Sequence, residues 1–398
     1  MRVLQVHTRY REPGGEDSVV DAERSMLIDH GMDVQQFVLR NDSMTSMSHL
    51  QAARTTVWNT TARRAICAAV GSFQPDVVHV HNTFPLMSPA VVSAASDCGA
   101  PIVHTLHNYR LVCPSGMLFR DGRPCTLCVG RTVPWPAVVH RCYRGSAAAS
   151  ATVATMLLVH RLLNTYSHHV DRFIVLTEFA RQQFIAGGLD ANKLVLKPNA
   201  LAVDPGPGAG DGGYALFVGR LSPEKGIIEL LEAWRDLRPS ATLRIVGDGP
   251  LADTVRSMAS TSGRIEVVGP LPRDQVFHEL QAAAVMLFPS RTFEGAPMTI
   301  IESFATGTPV VAIDLGAARE MVADDVNGAL VPPGDYAALV ASAVRLMGDV
   351  EALSRMRVRA RRAYEVSYHA SANVQRLRAI YESCDRRGGR RTSPMGAP

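Results

Sequence analysis

The sequence has no hydrophobic run long enough to cross a bilayer and no leader-like apolar segment at its start. Residues Met1–His7 lack the long apolar core of a signal peptide and predict a first β-strand instead. The longest uncharged segment of helical character, Ser146–Val159, is shorter than the ~20 residues that a membrane-spanning helix needs. We therefore expect a cytoplasmic protein, and contact with the inner face of the cell membrane stays open.

The sequence also lacks a strong excess of charge of either sign. Its 41 lysines and arginines face 37 aspartates and glutamates, and the formal net charge is +4. No nucleic-acid recognition motif accompanies this mild surplus, so no nucleic-acid partner is expected. Part of the surplus lies in residues 385–398, which are predicted to form a disordered basic tail.

The glycine-rich loop G-x-G-x-x-G of dinucleotide-binding proteins is absent after the first strand. Instead, Gly14 and Gly15 stand between that strand and a helix predicted from Val20 to His30. Paired glycines at such a junction let a ligand approach the backbone closely. We therefore expect a ligand at this junction, but not a dinucleotide.

The chain does contain two series of alternating strands and helices. Short apolar strands separated by helical or loop segments indicate a parallel β-α-β sheet, and this pattern predicts domains at residues 1–200 and 201–365. A proline- and glycine-rich linker, Ala202–Gly213, stands at the junction. A length of 398 residues also suits two domains. The last helical segment, residues 366–384, is predicted to cross back onto the first domain.

The segment Phe293–Gly307 combines two carboxylates with the start of a helix. It follows the apolar run Val285–Pro289, which predicts a buried strand, and Pro297 is expected in the first helical turn. Glu302 is expected to point back toward Glu294 and the helix N-terminus. Free N–H groups there suit a phosphate, and the carboxylates suit sugar hydroxyls. Alone, the segment equally fits a solvated helix start with acidic residues.

A second candidate is the cationic loop that runs from Val218 to Gly226. It places Arg220 and Lys225 at the carboxyl end of a strand, where two fixed cations suit a diphosphate. The alternative is a basic loop that merely precedes a helix. At the next such junction Gly247 allows close backbone approach to a nucleotide, although Asp248 could equally cap the following helix.

Taken together, these motifs resemble those of the family 4 (group 1) retaining glycosyltransferases of the GT-B fold. The resemblance covers nearly all of residues 1–384, and it rests on the order and spacing of the motifs rather than on any one of them. It implies an α/β protein with two Rossmann-like domains that face each other across a cleft. The matching motifs are Gly14-Gly15, Thr105–Arg110, Lys197–Asn199, Gly219-Arg220 with Lys225-Gly226, Gly247–Gly249, and Glu294 with Glu302.

The resemblance also implies roles for individual residues. His107, near the reacting sugar, and Glu294, in contact with the donor sugar, are the candidate catalytic residues. Glu302 would bind the ribose, while Gly14 and Asn108 would lie on the acceptor side. The nucleotide and its diphosphate would be bound by Gly15, Arg220, Lys225, Gly247, Ala296, Pro297, Met298, Thr299 and Glu302.

Transfer is expected to need no cofactor. GT-A enzymes neutralise the leaving diphosphate with a metal on an Asp-x-Asp motif, and that motif occurs nowhere in the sequence. Arg220, Lys225 and the helix N-terminus can supply the positive charge instead. For this family the usual proposal for retention is same-face attack with the leaving phosphate oxygen as base. His107 is expected to bind a sugar hydroxyl or to orient the acceptor, with a general-base role as the alternative.

The expected function is transfer of a hexose-type sugar from a UDP-, GDP- or dTDP-linked donor to a hydroxyl of a glycan or lipid-linked acceptor. Such enzymes build cell-surface polysaccharide or glycoconjugates, and peripheral membrane contact would fit that setting. Two alternatives stay open, a nucleotide-sugar epimerase or hydrolase of the same fold and a non-catalytic sugar-nucleotide-binding protein. Turnover of donor alone would indicate the first, whereas the complete set of site residues argues against the second.

Cysteines are few but unevenly placed. Four of the seven fall in a glycine- and proline-rich insert at about residues 111–145, namely Cys113, Cys125, Cys128 and Cys142. Their spacing contains a single C-x2-C pair, so a structural zinc site, redox chemistry and four unrelated thiols are all considered. Zinc ranks first because a long irregular loop needs a cross-link. Disulfides are not expected in a cytosolic chain, and the remaining cysteines, Cys67, Cys98 and Cys384, are expected to be ordinary small residues.

Overall fold

Two six-stranded parallel sheets organise the chain in the computed structural model, which describes residues 1–10 and 14–384. The first sheet contains β1 (Arg2–Arg9), β2 (Asp33–Arg40), β3 (Val77–Asn82), β4 (Ile102–Thr105), β7 (Arg172–Val175) and β8 (Leu194–Leu196) in the order β2-β1-β3-β4-β7-β8. The second contains β9 (Tyr214–Val218), β10 (Thr242–Val246), β11 (Ile265–Gly269), β12 (Val285–Phe288), β13 (Val310–Ile313) and β14 (Gly328–Val331) in the order β11-β10-β9-β12-β13-β14. In both sheets the order reverses beside the first strand, the kind of switch point at which α/β sheets bind ligands.

Helices cover both faces of each sheet. Those of the first half are α1 (Gly15–Asp29), α2 (His49–Val57), α3 (Thr60–Phe73), α4 (Ala90–Asp97), α5 (Trp135–Val139), α6 (Ala147–Leu162), α7 (Thr165–His169) and α8 (Glu178–Ala186). Those of the second half are α9 (Ile227–Leu237), α10 (Ala252–Ser260), α11 (Arg273–Ala282), α12 (Met298–Ala305), α13 (Ala317–Met321), α14 (Tyr336–Met347), α15 (Val350–Ser367) and α16 (Ala370–Glu382). Within the described residues, none of these helices is both long and apolar enough to cross a membrane.

The strands are apolar on both sides because each sheet is covered on both sides. In β1, Leu4 and Val6 belong to the core cluster on one face, while Val3 belongs to the cluster on the other. The second sheet repeats the pattern, with Phe217 and Leu216 of β9 in opposite clusters. The strand sequences are therefore nearly continuous runs of apolar residues, rather than alternations of apolar and polar residues.

The helix α1 begins five residues earlier than the sequence predicts. Asp17, at the third helical position, accepts a hydrogen bond from the backbone N–H of Gly14 at 3.1 Å and so caps the first turn. This places Gly15 in the helix itself and Gly14 at its N-cap. The predicted start at Val20 was wrong because the acidic first turn was taken for loop.

The C-terminal helical segment is divided into two helices. The helix α15 ends at Ser367 and α16 starts at Ala370, so the segment predicted at residues 366–384 contains the end of one helix and then a second one. Val374, Leu377 and Ile380 of α16 pack into the core cluster of the first half, beside Val3. The chain therefore crosses back onto its N-terminal domain. The predicted disordered tail, residues 385–398, lies outside the described residues.

One prediction about the cysteines is wrong. Cys67 and Cys98 form a disulfide, with their Cα atoms 5.9 Å apart, although both were taken as unpaired small residues. They meet because α3 packs along α4, which places the end of α4 beside the middle of α3. Composition and compartment gave no indication of this pairing, which depends on a packing of helices across the sheet surface.

Candidate active site

The two domains meet where the carboxyl ends of their strands face each other. His107 follows β4 of the first sheet, and the loop with Glu294 and Gly295 follows β12 of the second. A Cβ atom added to Gly295 would lie 2.7 Å from the carbonyl oxygen of His107, so the two backbones touch. Tyr109 donates a hydrogen bond to the carbonyl oxygen of Glu294 at 3.4 Å, and Thr177 donates one to that of Gly295 at 3.3 Å. The structure thus brings the two candidate catalytic residues together.

Glu294 is held by a cation from the neighbouring loop. Lys225 Nζ lies 2.6 Å from Glu294 Oε1, and the hydroxyl of Ser290 donates to the same oxygen at 2.8 Å. Both members of the ion pair are partly exposed toward the cleft. The glycine after Lys225 makes this possible, because Gly226 has φ 70° and an added Cβ would lie 2.1 Å from the carbonyl oxygen of Pro289.

Arg220 lies on the same cationic loop, at the end of β9, and is exposed. The loop is packed against its neighbour, since a Cβ on Gly247 would lie 1.9 Å from the carbonyl oxygen of Gly219. Only glycine at residue 247 lets the two strand ends approach so closely. The predicted diphosphate residues Arg220, Lys225 and Gly247 therefore share one edge of the second sheet.

The helix α12 starts beside this edge. Pro297 has extended backbone angles and forms its N-cap rather than belonging to its first turn, which corrects the predicted position. Met298 and Thr299 open the helix, and the first N–H groups of a helix have no partner within it. Ala296 instead packs against the first domain's core cluster. The helix N-terminus thus presents donors and a positive dipole end close to Glu294.

Glu302 lies further along α12 and faces a different neighbour. Its Oε1 is 3.3 Å from Arg273 Nη2 at the start of α11, and its side chain is largely buried. Burial raises the pKa of Glu302, while Arg273 opposes that shift. The two carboxylates therefore do not converge on one point as the sequence suggested, because each is fixed by a different basic residue.

The N-terminal side of the cleft is formed by the start of α1. Among the described residues, an added Cβ on Gly14 or Gly15 would meet no atom within 4 Å. Asn108, predicted on the acceptor side, donates a hydrogen bond to Glu16 at 3.3 Å, and Tyr10 donates to the same oxygen at 2.8 Å. Burial raises the pKa of Glu16 to about 7. Sequence reasoning missed Glu16, although its place directly after the paired glycines was a usable signal.

Behind His107 lies a buried polar network that the sequence analysis did not anticipate. His107 Nε2 is 3.0 Å from His81 Nδ1, and His81 Nε2 lies 3.3 Å from Glu23 Oε1. Glu23 also lies 3.3 Å from Lys197 Nζ and 3.0 Å from His79 Nδ1. The spacing of His79 and His81 was a signal for this network, since residues two apart in a strand share one face.

The network also reaches the C-terminal helix. Tyr381 of α16 lies with its hydroxyl oxygen 2.7 Å from His79 Nδ1, so the helix that crosses back covers the histidines. Lys197, two residues before Asn199 in a motif quoted for the family resemblance, supplies the buried cation. The residues that surround His107 therefore come from four separate segments of the chain.

Burial keeps two histidines of this network, His81 and His107, neutral. Burial lowers the pKa of His81 to about 3, and burial together with His81 lowers the pKa of His107 well below its usual value. Burial alone would raise the pKa of Glu23, yet His79 and Lys197 hold it well below the usual range. His107 is thus a neutral hydrogen-bonding group next to the cleft, which suits binding of a hydroxyl.

The four cysteines of the insert are free thiols. Cys113 and Cys128 are buried, and Cys125 and Cys142 are half-buried. Burial, with Cys113 as neighbour, raises the pKa of Cys128 to about 11. No three of their sulfurs lie within 4.8 Å of one another. Among the described residues, the set of potential ligands that does meet this distance is Glu23, His79 and His81, in which Lys197 already neutralises the carboxylate.

Comparison with known protein families identifies two matching regions. Residues 25–200 match the model described as glycosyl transferase 4-like domain, and residues 212–349 match the model described as glycosyl transferases group 1. The boundary between the two matches falls at the linker between the sheets, and together the models span most of the chain.

Two curated relatives illustrate the range of similarity. An exopolysaccharide phosphotransferase of Streptomyces coelicolor is 33% identical over 52% of this chain and 22% of its own length. A 2-deoxystreptamine N-acetyl-D-glucosaminyltransferase of Streptomyces fradiae is 29% identical over 70% of this chain and 64% of its own length. The chain thus spans about a fifth of the first relative and under two thirds of the second.

A solved structure extends the comparison to the whole fold. HepE from Anabaena, determined in complex with UDP, superposes with a TM-score of 0.69 and covers 96% of this chain and 100% of its own. The two sequences are only 16% identical, so this likeness concerns the fold. Both sheets and their connecting helices are included in the superposed length.

Proposed function

The chain belongs to the group 1 glycosyltransferases and has the GT-B fold, and on that premise we propose that it transfers a hexose-type sugar, with retention, from a nucleotide-diphosphate donor to a hydroxyl acceptor. The observation that carries the proposal is the contact between the His107 backbone and the loop that contains Glu294, whose carboxylate pairs with Lys225. A cation, a carboxylate and a neutral imidazole thus belong to segments that meet between the domains. That set suits a sugar joined to a diphosphate.

The leaving diphosphate is proposed to bind at the edge formed by the cationic loop and α12. Arg220 can offer a fork of donors and Lys225 a point charge, and the start of α12 adds the positive end of a helix dipole. These groups would stabilise the charge that develops on the phosphate as the glycosidic bond breaks. Transfer would then need no divalent metal, and undiminished transfer after chelator treatment is the expected result.

The transferred sugar is proposed to lie between Glu294 and His107. Glu294 Oε1 already accepts from Lys225 and Ser290, which favours hydrogen bonding to sugar hydroxyls over nucleophilic attack. Retention would then follow from same-face attack, with the leaving phosphate oxygen taking the proton of the acceptor. A covalent sugar trapped on Glu294 would contradict this assignment and would indicate a double displacement.

The ribose is proposed to bind Glu302, whose carboxylate lies at the side of α12 away from the ion pair. The UDP in the HepE complex supports UDP-linked sugars as the first donors to test, and GDP- and dTDP-linked sugars are the alternatives. A structural zinc in the cysteine-rich insert is a separate proposal that concerns stability rather than transfer.

The proposed setting is the synthesis of cell-surface polysaccharide or glycoconjugates in the cytoplasm, at the inner face of the membrane. The relative that acts on exopolysaccharide supports this setting, whereas the one that modifies 2-deoxystreptamine supports glycosylation of a small acceptor. The acceptor would be a glycan or a lipid-linked sugar. It would enter over Gly14 and Gly15, beside which the described residues leave room for a ligand.

A donor screen tests the proposal. Thermal shifts of the purified chain with UDP-, GDP- and dTDP-sugars should single out one donor class, since a ligand at a hundred times its Kd stabilises by about 2.7 kcal/mol. The anomeric configuration of a product made with that donor then tests retention. Release or epimerisation of the sugar at full rate without acceptor would favour the epimerase or hydrolase alternative. Binding without any turnover would favour a non-catalytic protein.

A further inference from the structure

The cysteine-rich insert exposes several large apolar side chains to solvent. Leu127 is 46% exposed, Val133 45%, Trp135 52% and Val139 64%, and we call these four residues the insert patch. The helix α5 turns its other side inward, where Ala137 is fully buried. Trp135 and Val139 are four residues apart and therefore lie on one face of α5. The outward face of the insert is thus apolar by sequence and uncovered in the structure.

Two arginines contact the segment that contains the insert patch. The Arg131 guanidinium lies 5.5 Å from the centre of the Trp135 ring, and its Nε donates to the carbonyl oxygen of Leu127 at 2.8 Å. Arg161 donates to the carbonyl oxygen of Thr132 at 3.3 Å. That bond brings the end of α6 beside the insert patch, and Leu162 and Leu163 are exposed there as well.

The insert is also the site of a concentrated positive charge. Residues 111–146 contain five arginines against one aspartate, a formal charge of +4, and the whole chain is also +4. The rest of the chain therefore has no net charge. Four of these arginines are exposed, namely Arg123, Arg131, Arg141 and Arg144. The insert thus combines exposed guanidinium groups with the exposed apolar side chains of the insert patch, and Arg131 lies against Trp135.

We propose that the insert patch docks on the surface of an anionic lipid bilayer. Trp135 and the aliphatic side chains would enter the boundary between headgroups and acyl chains, and the arginines would bind lipid phosphates. A protein partner fits less well, because the core of a protein interface is depleted in charge and a stable one buries about 800 Å² on each side. A fluid bilayer can contact apolar side chains with its acyl chains and neighbouring arginines with its headgroup phosphates.

This docking deepens the membrane contact proposed above, and it would place the active site next to the bilayer. Between His107 and the insert patch, the insert touches the catalytic loop of the other domain. Thr292 donates to the carbonyl oxygen of Met117 at 2.8 Å, and Arg291 donates to that of Gly122 at 2.7 Å. A lipid-linked acceptor in the bilayer would therefore need to travel only along the insert to reach the cleft.

Vesicle binding by the full chain tests the proposal without any sugar donor, so its failure is distinct from failure of the proposed transfer. The chain should float with vesicles of phosphatidylcholine and phosphatidylglycerol, but not with phosphatidylcholine alone, and added salt should release it. Emission of Trp135 should shift to shorter wavelength on binding, and Trp135→Phe should remove that shift.

Paired variants identify the surface. Trp135→Ser with Val139→Ser should lower partitioning at least tenfold, whereas Val350→Ser with Val358→Ser, exposed apolar residues of α15, should leave it unchanged. A circular dichroism spectrum shows that both variants fold.

Charge is tested in the same way. Arg131→Gln should weaken binding about fivefold, and Arg359→Gln on α15 should have little effect. Three outcomes would overturn the proposal. These are equal binding to both vesicle types, binding lost only when the arginines of residues 385–398 are replaced, and self-association through Trp135 without vesicle binding.

Discussion

At the scale of single residues, Glu294 and Glu302 illustrate how two similar side chains are separated by their neighbours. Glu294 pairs with Lys225 on the cleft side, whereas Glu302 is largely buried beside Arg273. Their spacing in the sequence placed both at one helix start. Their different partners come from the cationic loop after β9 and from the start of α11, which no local pattern in Phe293–Gly307 encodes.

This difference predicts different kinetic effects. Glu294→Gln should lower the rate of transfer by about 10²–10³ with little change in nucleotide affinity, because the lost contacts form to the reacting sugar. Glu302→Gln should weaken nucleotide binding about tenfold or more and leave the rate at saturating donor nearly intact, because a charge-assisted hydrogen bond to the ribose is lost. Calorimetry with the nucleotide and initial rates separate the two. Equal effects of both variants on both quantities would refute the assignment.

The buried carboxyl of Glu16 predicts a dependence of stability on pH. Its pKa in the folded protein is raised to about 7, so the unfolded chain loses this proton first as pH rises. The free energy of unfolding should therefore fall by roughly 3 kcal/mol between about pH 4.5 and pH 7, and the loss should be complete above that range.

Denaturant titrations at several pH values check this prediction. Glu16→Gln cannot ionise and should remove most of the decline, whereas Glu178→Gln, a half-buried glutamate at the start of α8, serves as a control and should preserve it. A decline of the same size in Glu16→Gln would show that another group is responsible.

Glu23 and Lys197 are predicted to be energetically coupled, because each neutralises the buried charge of the other. Its carboxylate lies buried between Lys197 and two histidines, so Glu23→Gln leaves the Lys197 ammonium buried without its counter-ion. Removing one partner of a buried ion pair lowers the free energy of unfolding by about 3–5 kcal/mol. The double variant Glu23→Gln with Lys197→Met should recover much of that loss in denaturant unfolding. Additive losses in the double variant would mean that the two residues do not stabilise each other.

At the scale of elements, patterns that depend on neighbouring residues were predicted better than those that depend on packing between elements. The strand predicted within Val285–Pro289 forms as β12, because burial on both sides shows directly in the local order of residues. The early start of α1 and the break before α16 depend on a cap and on docking. Such contacts are not visible in one segment alone.

The insert shows the same limit for a site. The sequence places four cysteines in one irregular segment, and the structure forms only a short hairpin, β5 (Phe119–Arg120) and β6 (Arg123–Pro124), and the single-turn α5 within it. The sulfurs are near enough for Cys113 to affect the pKa of Cys128, but they are not clustered as metal ligands would be. Zinc binding would therefore require rotation of these side chains toward a common point.

The expected outcome is a stoichiometric amount of zinc in the chain purified without chelator, because Zn²⁺ bound by four cysteine thiolates would cross-link the irregular insert. Cys125→Ser with Cys142→Ser should lower the zinc content and the melting temperature, whereas Cys384→Ser, outside the insert, should leave the zinc content unchanged. Elemental analysis and thermal unfolding measure both. A folded, zinc-free chain would refute zinc and leave the four residues as unrelated thiols.

At the scale of the whole molecule, the relation of the two domains was the least predictable feature. Each sheet follows from its own alternation of strands and helices, but the cleft depends on contacts between residues far apart in sequence. Phe179 and Phe293 stack with ring centres 4.5 Å apart, and α16 joins the first domain after the second is complete. The candidate site exists only because these contacts bring His107 to Glu294.

Glu320 offers a test of how firmly the domains are held together. From α13 of the second domain, its carboxylate accepts hydrogen bonds from the backbone N–H groups of Glu178, at 2.8 Å, and of Phe179 at the start of α8 in the first domain. It therefore acts as a cap supplied across the cleft, and an acidic cap contributes about 1 kcal/mol.

Glu320→Ala should shift the ratio of closed to open molecules about fivefold toward open, because a change of 1 kcal/mol alters an equilibrium by that factor. Small-angle X-ray scattering of the unliganded variant should show a larger radius of gyration than the original chain, and saturating nucleotide sugar should restore the smaller value, since a ligand that touches both domains favours the closed state. Glu365→Ala, which removes a surface pair on α15, is the matched control and should leave the radius unchanged. An unchanged radius for Glu320→Ala would mean that the stacked phenylalanines and α16 hold the domains closed without this cap.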